Sequence, residues 1–179
     1  MIDKLYRWID GILIVMIVLA VTRIVTGIAT MVMPENALAS ENAIAVAQEM
    51  SNVYYQGGVA LMDYLLNNAF YEELIFRFLP IMIFAKWTRD NNDYKCLAFA
   101  PRTLVVVGIC SIVFGWLHGG FWNIFVQGVY GVAFSAVFIF TVNKLPSTFG
   151  RMTKSVLGLA VSTLVHAFSN YAIILAAGY

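Results

Sequence analysis

Tyr71-Glu72-Glu73-Leu74-Ile75-Phe76-Arg77-Phe78-Leu79-Pro80-Ile81-Met82-Ile83-Phe84 sets two adjacent carboxylates and an arginine inside an apolar run that extends from about Val53 to Trp87. Roughly 20 helical residues, at about 1.5 Å each, cross the hydrocarbon core of a bilayer. The run is therefore long enough to span it, as one tilted helix or as two shorter ones broken near Asn67-Asn68. An ionisable group at such depth costs about 2.5–3.5 kcal/mol on insertion scales, so it faces a partner or a wet cavity. Two further polar clusters sit in the same way within or at the end of apolar stretches, Phe114-Gly115-Trp116-Leu117-His118 and His166-Ala167-Phe168-Ser169-Asn170. Both histidines of the chain fall in these clusters.

Composition points the same way. Of 179 residues, 61% are hydrophobic and 12% charged, where soluble domains carry about 25% charged residues. Mean hydropathy is +0.80. These values read as an integral membrane protein of all-α class, a polytopic bundle of about five spans, or six if the 53–87 stretch is broken. A net charge of +1 offers no basic surface for nucleic acid. Cys96 and Cys110 lack metal-binding spacing and read as free thiols.

The expected spans are Gly11–Met33, Val53–Trp87, Thr103–His118, Phe121–Val142 and Ser155–Ala177. Ala37-Leu38-Ala39 resembles a signal-peptidase site, but the apolar run before it covers 22 residues, Ile12 to Met33. A signal-peptide core is about 7–15 residues long, so a retained first span is expected. Residues 1–52 form an N-terminal helix and polar extracytoplasmic loop, and 53–179 a membrane core with four helices carrying the chemistry. Lys4 and Arg7, then Lys86, Arg89, Lys95 and Arg102, then Lys144, Arg151 and Lys154 occupy alternate connections. By the positive-inside rule the N-terminus is cytoplasmic and the C-terminus extracytoplasmic. Counted from those basic ends, Glu72 is 14 residues above Lys86, His118 is 16 above Arg102 and His166 is 12 above Lys154. The rise per residue converts these to depths of roughly 18–24 Å. Three clusters far apart in sequence converge on one level.

Each cluster carries its own i, i+4 pair. Glu73 and Arg77 share a helix face and can pair, while Glu72 points about 100° away and is left to do chemistry. Phe114 lies beneath His118, and His166 and Asn170 offer two donors on one face. Asn123 and Gln127 add amides near the Gly119-Gly120 turn. His118, His166 and a glutamate would suit zinc, which takes His₂Glu in some hydrolases. The chain has no H-E-x-x-H helix, however, and Asn170 is a poor zinc ligand. An acid–base site without metal or other cofactor is the expectation.

The ordered set Glu-Glu-x-x-x-Arg, Phe-x-x-x-His and His-x-x-x-Asn, each on its own span, resembles the CAAX protease and bacteriocin-processing (CPBP, or Abi) family, which includes the type II CAAX prenyl proteases. The resemblance covers residues 53–177. It implies a glutamic-type intramembrane endopeptidase acting on a membrane-associated peptide or protein. Glu72 and His118 would activate water, His166 and Asn170 would stabilise the oxyanion, and Glu73, Arg77 and Phe114 would support them. The chain departs from the pattern at Phe78, where many members carry glycine, and in having a single span before the core. Bacteriocin processing and a prokaryotic cytoplasmic membrane fit the resemblance. So does the rival reading, a non-catalytic self-immunity or peptide-binding protein. A small transporter is a further rival, although the chain shows none of the internal repeats common in transporters.

Overall fold

The computed structural model of the chain describes residues 2–33, 48–49, 51–90 and 93–177. The polar connection expected over Pro34–Asn52 lies mostly outside the described residues. Helix α1 covers Ile2–Val32. A long rod follows, made of α2 (Gly58–Glu73), a π-helical turn (Leu74–Phe78) and α3 (Leu79–Phe84). A two-stranded antiparallel hairpin, β1 (Trp87–Asp90) and β2 (Asp93–Cys96), leads to α4 (Pro101–Leu117). A 3₁₀ turn at Phe121–Ile124 precedes α5 (Gln127–Lys144), and α6 covers Arg151–Ala177. The architecture is an all-α polytopic bundle. Val15–Val32, Phe121–Lys144 and Arg151–Ile174 are long and apolar enough to cross a membrane, and Pro101–Leu117 is a shorter apolar helix. The rod from Gly58 to Phe84 is as long, but it carries Asp63, Glu72, Glu73 and Arg77.

Two features refine the expected spans. Of the two forms left open for the 53–87 stretch, the rod runs unbroken through Asn67-Asn68. Asn67 instead turns its side chain back onto the Asp63 carbonyl, at 3.0 Å, within the continuing helix. The interruption lies earlier, at Gly57, whose φ of 110° is open to glycine and strained for other residues. The irregularity inside the rod is the π-helical turn, where the Leu79 N–H reaches the Leu74 carbonyl five residues back. Pro80 follows at once. It has no N–H for the carbonyl of Phe76 and its ring crowds that position, so a widened turn just before it relieves the clash.

The second feature is in the connection between the expected Val53–Trp87 and Thr103–His118 spans. The register Trp87↔Cys96 to Asp90↔Asp93 makes part of it a hairpin, and the bundle pins that hairpin to itself. Asn143 near the end of α5 pairs with the Cys96 backbone twice: the Cys96 N–H donates to its carbonyl oxygen at 2.8 Å, and its amide donates to the Cys96 carbonyl at 2.9 Å. Lys154 of α6 is fully buried and donates to Asp93 at 2.6 Å and to the Tyr94 carbonyl at 3.2 Å. Arg151 donates to the Met82 carbonyl and lies 4.6 Å from the Trp87 ring centre. Arg102 closes the end of α3 through the Phe84 carbonyl. The basic residues thus gather the ends of α3, α4, α5 and α6 around one plate. Both cysteines are free, and burial pushes the Cys96 thiol up to about 11.

Helix α5 is the centre of the bundle, with Tyr130, Phe134, Val137, Phe138, Ile139 and Val142 buried. Its approach to α4 depends on small residues. A Cβ added at Gly115 would fall 2.6 Å from the Ile124 Cα, 2.7 Å from the Asn123 carbonyl oxygen and 2.8 Å from the Gly128 nitrogen. All three neighbours are backbone and cannot swing aside. Gly128 and Gly131 press likewise on Ser111 of α4. Small residues that let backbones meet are the usual means of joining membrane helices.

Two outcomes follow. Gly115→Ala lowers the unfolding midpoint in detergent, by on the order of 1–3 kcal/mol of overpacking, whereas Gly108→Ala, which meets nothing within 4 Å, leaves it unchanged. A loss from Gly108→Ala equal to that from Gly115→Ala would refute the packing account. The hairpin clamp gives a pH signature. The Lys154 ammonium holds the Asp93 carboxyl below its ordinary value. A depressed folded pKa adds stability above the unfolded value of about 3.9, and that stability is lost as pH falls through the lower folded value. Wild type therefore loses stability in acid more steeply than Asp93→Asn, and the two converge there when melting is followed from pH 7 to pH 3. Parallel curves would contradict the clamp.

Candidate active site

The rod, α4 and α6 bring their polar clusters to one place. Glu72 and Glu73, neighbours at the end of α2, diverge because successive helical side chains are rotated by about 100°. Glu73 is fully buried and Arg77 almost so, and they lie 3.3 Å apart. Their contact is an ion pair by distance, without hydrogen-bond alignment, for the guanidinium is framed by rings instead. Arg77 Cζ lies 4.2 Å from the Phe114 ring centre and 5.7 Å from that of Phe134. Cation–π attraction of this kind is strongest where water is excluded.

The same two rings hold the two imidazoles. Phe114 meets His118 at 4.2 Å between centroids, and Phe134 stacks on His166 at 4.2 Å with planes 22° apart. Each imidazole then spends its Nδ1 on the scaffold. His118 Nδ1 is 2.7 Å from the Phe114 carbonyl oxygen, which can only accept, so that nitrogen carries the hydrogen. His166 Nδ1 is 2.9 Å from Glu73 Oε1. Glu73 is paired with Arg77 and is a carboxylate, so it accepts as well and Nδ1 of His166 is also N–H.

Both Nε2 atoms turn to Glu72. His118 Nε2 is 3.5 Å from Glu72 Oε1 and His166 Nε2 is 3.4 Å from Oε2. One carboxylate thus faces one imidazole on each oxygen. Glu72 and His118 keep 27% and 31% of their side-chain surface open, while Glu73 and His166 keep 0% and 3%. Glu72 and His118 thus form the open side of the cluster, and Glu73 lies wholly behind His166.

His118 closes the C-terminal end of α4, where Gly119 and Gly120 turn the chain with φ of 143° and 87°. Asn123, buried in the 3₁₀ turn, donates to the His118 carbonyl at 3.1 Å and so satisfies one of the orphan carbonyls of that end. Glu72, Glu73, Arg77, Phe114, His118 and His166 are therefore linked by contacts into one cluster. Asn170 is one turn beyond His166 on α6, partly exposed, and makes no hydrogen bond to the described residues. Phe134 was not singled out, because α5 carries no ionisable residue at that level; its only sign is the Tyr130–Phe134 i, i+4 pair, whose rings stack at 6.0 Å. Among the described residues no three His, Cys, Asp or Glu side chains form a metal-holding group.

A search of the curated proteins and of the solved structures gives no match to the chain. One family model does match, described as type II CAAX prenyl endopeptidase Rce1-like, over residues 58–172. The matched segment begins with α2 and ends within α6, so it contains every side chain of the cluster and leaves α1 outside. With its apolar helices and that match over well more than half its length, the chain is an integral membrane protein and belongs to the Rce1-like family of type II CAAX prenyl endopeptidases.

Proposed function

We propose that the protein is a metal-independent intramembrane endopeptidase in which Glu72 and His118 activate water and His166 and Asn170 receive the oxyanion. The observation that supports this most is the pair of Nε2 atoms facing the two oxygens of Glu72. With both Nδ1 hydrogens committed, three acceptors converge on one point. A water molecule has the two donors needed to join Glu72 to His118, and doing so polarises its oxygen toward a peptide carbonyl.

The proton then has a route. Glu72 takes it as the water oxygen bonds to the carbonyl carbon, acting as general base. A neutral His166 with hydrogen on Nδ1 cannot donate from Nε2. It becomes a donor once Glu72 Oε2, 3.4 Å away, passes it that proton, and the Glu73 carboxylate offsets the resulting positive charge. The imidazolium and the unengaged Asn170 amide then hold the tetrahedral oxygen. On collapse the proton returns through Glu72 to the leaving amine as the C–N bond breaks. Water ends as a hydroxyl on the acyl product and a hydrogen on the amine. Glu73 and Arg77 touch no reacting atom; they position His166.

The substrate class this favours is a membrane-associated peptide or protein that reaches the half of the bilayer away from the basic plate. By the positive-inside rule that half is extracytoplasmic, which favours a secreted peptide, a leader or a sorting tail.

The test uses purified protein in detergent with two fluorogenic peptides, one farnesylated and ending in a CAAX sequence, one a hydrophobic leader. Glu72→Gln abolishes cleavage. Asn170→Ala leaves a trace, because loss of one oxyanion donor costs about 10²–10³-fold in rate. 1,10-Phenanthroline leaves the wild-type rate unchanged. Equal cleavage by Glu72→Gln and wild type would overturn the proposal, and inhibition by phenanthroline reversed with zinc would overturn its metal-free form. An immunity phenotype that survives Glu72→Ala would favour the non-catalytic alternative.

A further inference from the structure

A cavity of about 420 Å³ opens between α1 and α6. Its lining is apolar, including Leu19, Ala20, Phe168 and Ala172, with two polar exceptions, Arg23 and Ser169. The volume is within the roughly 300–1,000 Å³ of small-ligand sites.

Arg23 is the anomaly. It lies in the middle of the Val15–Val32 span, eight residues from one end and nine from the other, or about 12 Å from either edge. A cation at that depth needs a counter-charge or a wet cavity. Among the described residues its only hydrogen bond is a long one, 3.4 Å, to the neutral Tyr130 hydroxyl, and no carboxylate lies within ion-pair distance. The guanidinium is exposed to the crevice, and the Ser169 hydroxyl shares that lining.

We infer that this crevice is a docking site for an apolar peptide segment whose carboxylate pairs with Arg23 and Ser169. The charge calls for an anion and the walls call for an apolar chain. Lipid phosphate is held at the interface, far from mid-span. The one anion every unmodified peptide carries is its terminal carboxylate. Tyr130 connects the docking site to the cluster, since its ring stacks on Phe134 and Phe134 stacks on His166. Because α1 lies outside the segment shared with the family, the crevice is a place where this chain sets its own peptide selectivity. The inference rests on the peptide-cleaving reading for its purpose, but its test needs no cleavage.

The full-length protein, wild type and with Glu72→Gln, is placed in phosphatidylcholine nanodiscs and irradiated with a leucine–alanine pentapeptide bearing a benzophenone. The peptide is prepared as the free acid and as the C-terminal amide. The acid labels α1 and α6 around the crevice roughly tenfold or more above the amide, as a charge-assisted pair in low dielectric requires. Arg23→Gln, which keeps a donor for Tyr130, removes that preference, and Arg23→Lys keeps part of it. Ser169→Leu fills the crevice and lowers labelling by both peptides while Arg23 stays in place. Labelling persists in Glu72→Gln, so loss of the peptidase reading would leave this result standing. Equal labelling by acid and amide, a preference unchanged in Arg23→Gln, or displacement of the acid by phosphatidylglycerol at lipid concentrations would overturn the inference.

Discussion

A fully buried carboxylate–guanidinium pair, Glu73 with Arg77, organises everything else at the site. Taking both charges out of water is expensive, and breaking such a pair by removing one partner costs about 3–5 kcal/mol because the other charge is left alone. Arg77 is compensated by Glu73 on one side and by the faces of Phe114 and Phe134 on the other. Those rings are the ones that hold the two imidazoles, and Glu73 itself takes the His166 Nδ1 hydrogen. One cation therefore fixes the orientation of two histidines on different helices. Of the two adjacent carboxylates, Glu72 is the one left partly exposed.

The bundle around this pair is built stiff at both ends by different means. Near the site, α4 and α5 meet backbone to backbone at Gly115, Gly128 and Gly131, which fixes where His118 ends its helix and where Asn123 can cap it. At the opposite end the hairpin is tied in by Asn143 and by the buried Lys154 with Asp93. Hydrolysis inside a membrane depends on placing groups from three helices within hydrogen-bond reach, and such geometry is held only when the helices cannot slide. Family membership makes the chain a membrane protease, and the acid–base cluster lies deep in the bundle and away from its basic connections.

Much of this was legible because charge inside an apolar run is conspicuous. Glu72, Glu73, Arg77, His118 and His166 stand out, and counting residues from the basic ends puts Glu72, His118 and His166 at one level. What stayed hidden leaves little trace in composition. The π-helical turn is signalled only by Pro80, and a proline in an apolar run reads as a kink as readily as a widened turn. The hairpin is formed by two four-residue strands, too short for alternation to declare itself, and its stability comes from Asn143 and Lys154, distant in sequence. The sequence left open whether the stretch breaks at Asn67-Asn68; Asn67 bonds to its own helix, and Gly57, a residue with no polar signal, makes the interruption. Phe134 is one aromatic among many on an apolar helix, and only the stacking on His166 shows what it does.

The most direct measurement is ¹⁵N NMR of selectively labelled histidine, in which the two histidines of the chain give two sets of ring signals. The account predicts, for both neutral rings, a protonated Nδ1 and an unprotonated Nε2, with the His166 pattern lost in Glu73→Ala and the His118 pattern retained. A neutral His166 protonated at Nε2 in the wild type, or one that does not respond to removal of Glu73, would contradict it.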